Sequence, residues 1–247
     1  MSAPRDRSSS SWTSYLINDT LALDAGGLGF FQTPQDQAKV RHVIVTHTHI
    51  DHIASLPIFL ENVYDARPDP VTIHGSPDVV ECLKRDILND RIWPDFVRLS
   101  NPNAPFLRLN TLQLGKTFEL EGIHFTPYLV NHVVPTWGFI IEDDHSAVVM
   151  PSDTGPTDEI WEQANRTPNV KAVFLEVTFP DSYSVLADVS KHLTPATFAV
   201  EIGKLTVPAK VIAVHIKARF RAQVIRELQA LNLPNLEIGE AGKVYHF

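Results

Sequence analysis

The sequence predicts a mixed α/β fold, either α/β or α+β, with helices covering the sheets. Three observations predict it. Short apolar runs of strand length recur along the chain. Segments with helical spacing of apolar residues lie between them. Several runs end in a histidine or an aspartate, the place where a strand hands side chains to a functional loop.

Each element has its own reason. Residues 1–11 are Ser-rich and predict a disordered segment, and 12–247 predict a single domain, since no repeat or long linker interrupts them. Tyr15–Leu23 reads as a strand leading to Asp24. His42–Thr46 is a β-branched run leading into THTHIDH at 46–52. Residues 53–64 predict a helix, provided Pro57 sits in a first turn. Val71–His74 predicts a strand and 77–88 a second helix. The stretch SNPNAPFLRLN at 100–110 reads as a Pro/Asn-rich connection. Strands follow at Ile123–Leu129, Trp137–Ile141, Ala147–Met150, Ala172–Val177 and Val211–Val214. Residues 194–204 open with Thr-Pro, a helix cap followed by a first-turn proline. Phe220, Val224, Leu228 and Leu231 repeat at helical spacing near the end.

Composition narrows the function. The chain has 247 residues, 44% hydrophobic and 20% charged, enough for a sizeable core. No apolar run is long enough to span a membrane, and the first residues carry no apolar secretory segment. One cysteine, Cys82, excludes an internal disulfide and a thiolate-rich zinc site, and points to the cytoplasm. The net charge of −8 and the lack of a basic stripe predict no long nucleic acid as partner.

The strand ends carry the chemistry. The runs LALD, VIVTHTHIDH, TPYLVNH, AVVMPSD and VIAVH end at Asp24, the 46–52 cluster, His132, Asp153 and His215. Imidazoles and carboxylates suit zinc, manganese or iron. In H-x-H-x-D-H, His47 and His49 face one way in an extended turn, while Asp51 and His52 follow into a helix and can serve a second ion. His132, Asp153 and His215 complete the ligand count for two ions, and Asp153 is the natural bridge. A pair of ions roughly 3.5–4 Å apart can hold a hydroxide and stabilise both attacking and leaving oxygens. Single histidines beside strands are more often structural, so His42, His74, His124, His145 and His246 are assigned no role.

THTHIDH resembles the signature of the metallo-β-lactamase superfamily. That resemblance implies a four-layer αββα sandwich with two divalent ions, zinc foremost, at one edge. It implies His47, His49 and His132 on the first metal, Asp51, His52 and His215 on the second, Asp153 between them, and Asp24 orienting the cluster through hydrogen bonds. A narrower resemblance runs through HTHIDHIASLP, NDRIWPDF, NHVVPTWGF, SDTGP, FLEVTFPDS, LADVSKHLTP and AVHIK, in the order seen in class II cyclic-nucleotide phosphodiesterases. Two departures stand out. Lys191 occupies a place where glycine is expected, and the start is short by a strand and a Gly-rich turn.

The resemblance implies hydrolysis of 3′,5′-cyclic AMP or cyclic GMP to the 5′-monophosphate by a hydroxide held between the metals. It places catalytic roles on Asp51, His192 and Asp24, and implies a homodimer. His192, in SKHLTP, is the candidate to protonate the leaving 3′ oxygen. Lys217, two residues after His215, would share its direction on a strand and reach phosphate. Trp93 and Phe96 could stack on a base, or pack in the core or a dimer contact. The alternatives are another hydrolase on the same scaffold, an aryl sulfatase or a tRNA 3′-processing endonuclease, and a non-enzymatic sensor. The complete ligand set argues against the sensor.

Overall fold

The computed structural model describes residues 12–64, 69–101, 103 and 105–247, and the expected disordered segment 1–11 lies outside them. The described chain falls into two compact units, Trp12–Gln113 and Leu114–Phe247.

The first unit runs β1 (Tyr15–Ile17), β2 (Leu21–Leu23), α1 (Pro34–Gln37), β3 (His42–Val45), α2 (Ile50–Ile53), α3 (Leu56–Val63), β4 (Thr72–Gly75), α4 (Pro77–Cys82), α5 (Phe96–Leu99) and β5 (Arg108–Thr111). Among the described residues its sheet has the order β1-β2-β3-β4-β5. Only the β1–β2 pair is antiparallel there. The expected strand Tyr15–Leu23 is broken into two, because Asn18 and Asp19 take φ of 47° and 60° and reverse the chain. Both residue types tolerate the left-handed region better than most. The expected helix 53–64 is resolved as α2 and α3, and Pro57 sits in the first turn of α3, where its missing N–H costs nothing. The helix expected over 77–88 begins with Ser76 capping Val79 N–H and widens into a π-helical turn at Leu83–Ile87. Phe59, Leu60, Val43, Ile73 and Val79 form the centre of this unit's core. Burying each of the larger ones stabilises by on the order of 2 kcal/mol.

The second unit runs β6 (Phe118–Leu120), β7 (Ile123–Val130), β8 (Thr136–Glu142), β9 (Ala147–Ser152), α6 (Glu159–Ala164), β10 (Val170–Glu176), α7 (Ser184–Ser190), α8 (Pro195–Ile202), β11 (Lys210–Val214), α9 (Arg221–Ala230) and β12 (Leu236–Ile238). Its sheet has the order β12-β11-β10-β9-β8-β7-β6. The strands β6 to β9 pair antiparallel, and β9 to β12 pair parallel. Trp161, Phe198, Val224 and Leu228 from the helices pack on Val173, Leu175, Val211 and Ala213 from the sheet. Thr194 caps α8 in a reciprocal box with Thr197, as the Thr-Pro pair predicts. Parallel strands put their carboxyl ends on one edge, and that edge is where each unit collects its chemistry. Among the described residues no helix is long and apolar enough to cross a membrane.

Candidate metal-binding sites

In the first unit, β2 and β3 are parallel neighbours, so Asp24 and Thr46 emerge side by side. The Asp24 carboxylate is 1% exposed. Its Oδ1 accepts Thr46 N–H at 2.8 Å, and its Oδ2 accepts the Thr46 hydroxyl at 2.9 Å. His52 Nδ1 lies 2.7 Å from the same Oδ2. A carboxylate only accepts, so His52 carries its proton on Nδ1 and turns Nε2 outward to ligate. His47 Nδ1 lies 2.9 Å from Thr46 Oγ1. The His47 ring is 4.8 Å from that of His49 and 4.1 Å from that of His52, centroid to centroid. The 47–52 turn is thus a packed cluster of imidazoles with Asp51 half-buried beside it.

The backbone holds this turn from the side. Thr13 N–H bonds Asp51 O at 2.9 Å, and Ala25 N–H bonds His52 O at 2.7 Å. Gly26 passes so close that a Cβ there would sit 1.8 Å from Asp51 O. Backbone cannot yield to such an overlap. Gly26→Ala is therefore expected to cost about 3 kcal/mol or more, read as a lower urea midpoint.

In the second unit, β9, β10 and β11 end together and supply Asp153, Glu176 and His215. His215 Nε2 lies 3.4 Å from Asp153 Oδ2. Asp153, His192 and His215 bring ligand atoms within 4.8 Å of one another, a grouping able to hold an ion. His132 follows β7, and its Nδ1 donates to the Lys191 carbonyl at 2.9 Å, which again leaves Nε2 for a ligand role. Lys191, where the resemblance predicts glycine, caps α7 at φ 54°, so a lysine bears the left-handed turn that glycine would adopt freely.

Glu176 was not among the residues singled out from the sequence, and it organises this edge. It is 1% exposed. Its carboxylate accepts Thr154 N–H at 3.1 Å, Leu193 N–H at 3.2 Å, the Thr178 hydroxyl at 2.8 Å and His192 Nδ1 at 2.6 Å. Burial pulls the His192 pKa down, but the charge and hydrogen bond of Glu176 outweigh it, and the net shift is upward. The run AVFLE ends in Glu176 just as LALD ends in Asp24, a signal the sequence did contain.

Three strand-end residues adopt left-handed backbone: Asp24 at φ 62°, Ser152 at 60° and His215 at 57°. The bend at His215 ends the strand reasoning for Lys217, since β11 stops at Val214 and alternation does not carry past it. The Lys217 charge nevertheless reaches His192, whose pKa it opposes. Phe96 is 5% exposed and stacks on Phe106 at 5.0 Å, so its ring is spent in the core and is withdrawn as a base-stacking residue. Trp93 packs on the same core, half-buried. Of the histidines assigned no role, His42 and His74 pair at 3.1 Å across β3 and β4, with Asn110 2.9 Å from His74. Burial, and then the neighbouring His42, push the His74 pKa down to about 4.

Of the seven expected ligands, Asp51 and His52 lie on α2 and the others lie just beyond strand ends, and the ring nitrogens of His52 and His132 are set for coordination. This donor set fits a divalent cation. The family described as the beta-lactamase superfamily domain matches residues 6–216, and the chain belongs to it. The expected mixed α/β class of the metallo-β-lactamase type stands with that membership.

Three relatives illustrate its surroundings. A probable 3′,5′-cyclic-nucleotide phosphodiesterase of Yersinia pestis is 26% identical, over 91% of this chain and 81% of its own length. A ribonuclease Z of Mycobacterium bovis is 30% identical, over 50% of this chain and 47% of its own. The crystal structure of unliganded yeast PDE1 superposes with a TM-score of 0.70 at 22% identity, covering 83% of this chain and 68% of that one. The resemblance to cyclic-nucleotide phosphodiesterases therefore holds.

The expected absence of a long nucleic-acid partner does not hold. Relatives named as ribonucleases match half of this chain, and such proteins act on RNA. Net charge is a sum over the whole surface, and a sum of −8 says little about one local face. What family and residues establish together is a metal-dependent hydrolase, with candidate ligands His47, His49, Asp51 and His52 in the first unit and His132, Asp153 and His215 in the second.

Proposed function

We propose that this chain hydrolyses phosphodiesters, with 3′,5′-cyclic nucleotides as substrate. We assign His47, His49 and His132 to one ion, Asp51, His52 and His215 to the other, and Asp153 to both. Zinc is the first choice, with manganese and iron suited to the same donors. What two such ions supply when bound is Lewis acidity toward phosphoryl oxygens and a nucleophile available near neutral pH. The protein's residues do the rest. Asp24 holds His52 in its ligating orientation. His192, held by Glu176 through Nδ1, presents Nε2 to protonate the departing 3′ oxygen. Lys217 brings a positive charge toward the scissile phosphate.

The observation that carries this reading is the Glu176–His192 pair, a buried acid–base couple standing beside Asp153 and His215. The cyclic-nucleotide relative spans nearly the whole chain, which favours that substrate. A second reading, cleavage of an RNA phosphodiester, is favoured by the ribonuclease Z relative, of which this chain spans less than half.

One experiment separates them. Metal-loaded protein is expected to convert cyclic AMP or cyclic GMP to the 5′-monophosphate. A chelator should abolish turnover, and returning manganese or zinc should restore it. Intact cyclic nucleotides alongside cleavage of an RNA carrying a 3′ trailer would transfer the assignment to the second reading.

A further inference from the structure

Each unit contains the same small device. In the first, Thr46 Oγ1–H donates to Asp24 at 2.9 Å, and the same hydroxyl lies 2.9 Å from His47 Nδ1. In the second, Thr178 Oγ1–H donates to Glu176 at 2.8 Å, with the His215 carbonyl a more distant acceptor at 3.3 Å, and the same hydroxyl lies 2.9 Å from His215 Nδ1. In both, the carboxylate also takes a second histidine directly, His52 or His192. Asp24, Thr46, Glu176 and Thr178 are each at most 1% exposed.

A hydroxyl beside an imidazole does not by itself choose a tautomer. It has one proton and two lone pairs, so it can donate to a bare ring nitrogen or accept from a protonated one. The buried carboxylate removes that choice. It can only accept, and it claims the single hydroxyl proton. The lone pairs then face the imidazole, which must keep its proton on Nδ1. Nε2 is left with its lone pair, the state a metal requires.

We propose that Thr46 and Thr178 are positioning residues that fix His47 and His215 in the ligating tautomer, each through a hydroxyl polarised by a buried carboxylate. In the second unit His192 Nδ1 gives its proton to Glu176 and lies 3.2 Å from the same hydroxyl, so Glu176 anchors both histidines, His192 directly and His215 through Thr178. The inference rests on the reading of His47 and His215 as metal ligands.

The test compares Thr178→Val, which keeps the shape but removes the hydroxyl, with Thr178→Ser, which keeps the hydroxyl. The readouts are the ¹⁵N shifts of the His215 ring in metal-free protein and the affinity for zinc alone. Wild type is expected to show Nδ1–H. Thr178→Val should show mixed tautomers and about 10–100-fold weaker zinc binding, and Thr178→Ser should return both toward wild type. A wild-type His215 protonated on Nε2, or a Thr178→Val protein with unchanged shifts and affinity, overturns the proposal. If Thr178→Val does not fold, the wild-type and Thr178→Ser spectra still decide. Neither readout depends on turnover. Failure of the hydrolase reading would appear separately, as intact substrate with a normal tautomer and normal zinc binding.

Discussion

His192→Ala is expected to lower kcat on a cyclic nucleotide by about 10²–10⁴-fold while leaving the metal content of the protein unchanged. The ring makes its 2.6 Å bond to Glu176 through Nδ1, so it is held from behind and offers its far nitrogen. The leaving 3′ alkoxide is a strong base, and losing its proton donor raises the barrier to bond cleavage directly. The competing role is also visible, because Asp153, His192 and His215 could themselves hold an ion. Metal analysis of the variant separates the two roles. A slow enzyme with full metal identifies a proton donor, whereas a loss of metal in step with activity makes His192 a ligand and removes the acid from the scheme.

Asp24→Ala should loosen the first unit's 47–52 histidine turn and lower stability whether or not a metal is bound. The carboxylate satisfies Thr46 N–H, the Thr46 hydroxyl and His52 Nδ1, and no water reaches a group that is 1% exposed. Leaving two buried N–H donors without an acceptor costs on the order of 3 kcal/mol, and the cavity adds to it. The urea midpoint of metal-free protein gives that cost without a contribution from bound ions. Zinc affinity should fall by about 10–100-fold as well, because His52 loses its orientation. A metal-free variant as stable as wild type would show that the three hydrogen bonds are replaced from elsewhere.

Much of this was legible in the sequence, for reasons that differ by residue. The 46–52 cluster announced itself because polar ligands at the end of a β-branched run have few structural uses. Pro57 and the Thr194-Pro195 pair marked helix starts because proline is confined to first turns. The break at Asn18 and Asp19 was there to be read, because Asn-Asp-Thr is a polar, turn-forming interruption inside Tyr15–Leu23. Glu176 and Thr178 escaped because their importance lies in what they touch, and their partners are up to 37 residues away in sequence. For Lys217 the strand-alternation argument fails, because β11 stops at Val214 and the chain bends at His215. Phe96 shows the limit of reading aromatics, which serve a core and a ligand equally well until burial is known.

The left-handed bend at Asp24 is strain that the surrounding bonds outweigh. Glycine there would relax the bend and recover roughly 1 kcal/mol, yet it would strip an acceptor from Thr46 N–H, the Thr46 hydroxyl and His52 Nδ1, which costs more. Laboratory evolution that screens only for survival on heating should therefore keep Asp24 and place its stabilising changes elsewhere in the chain.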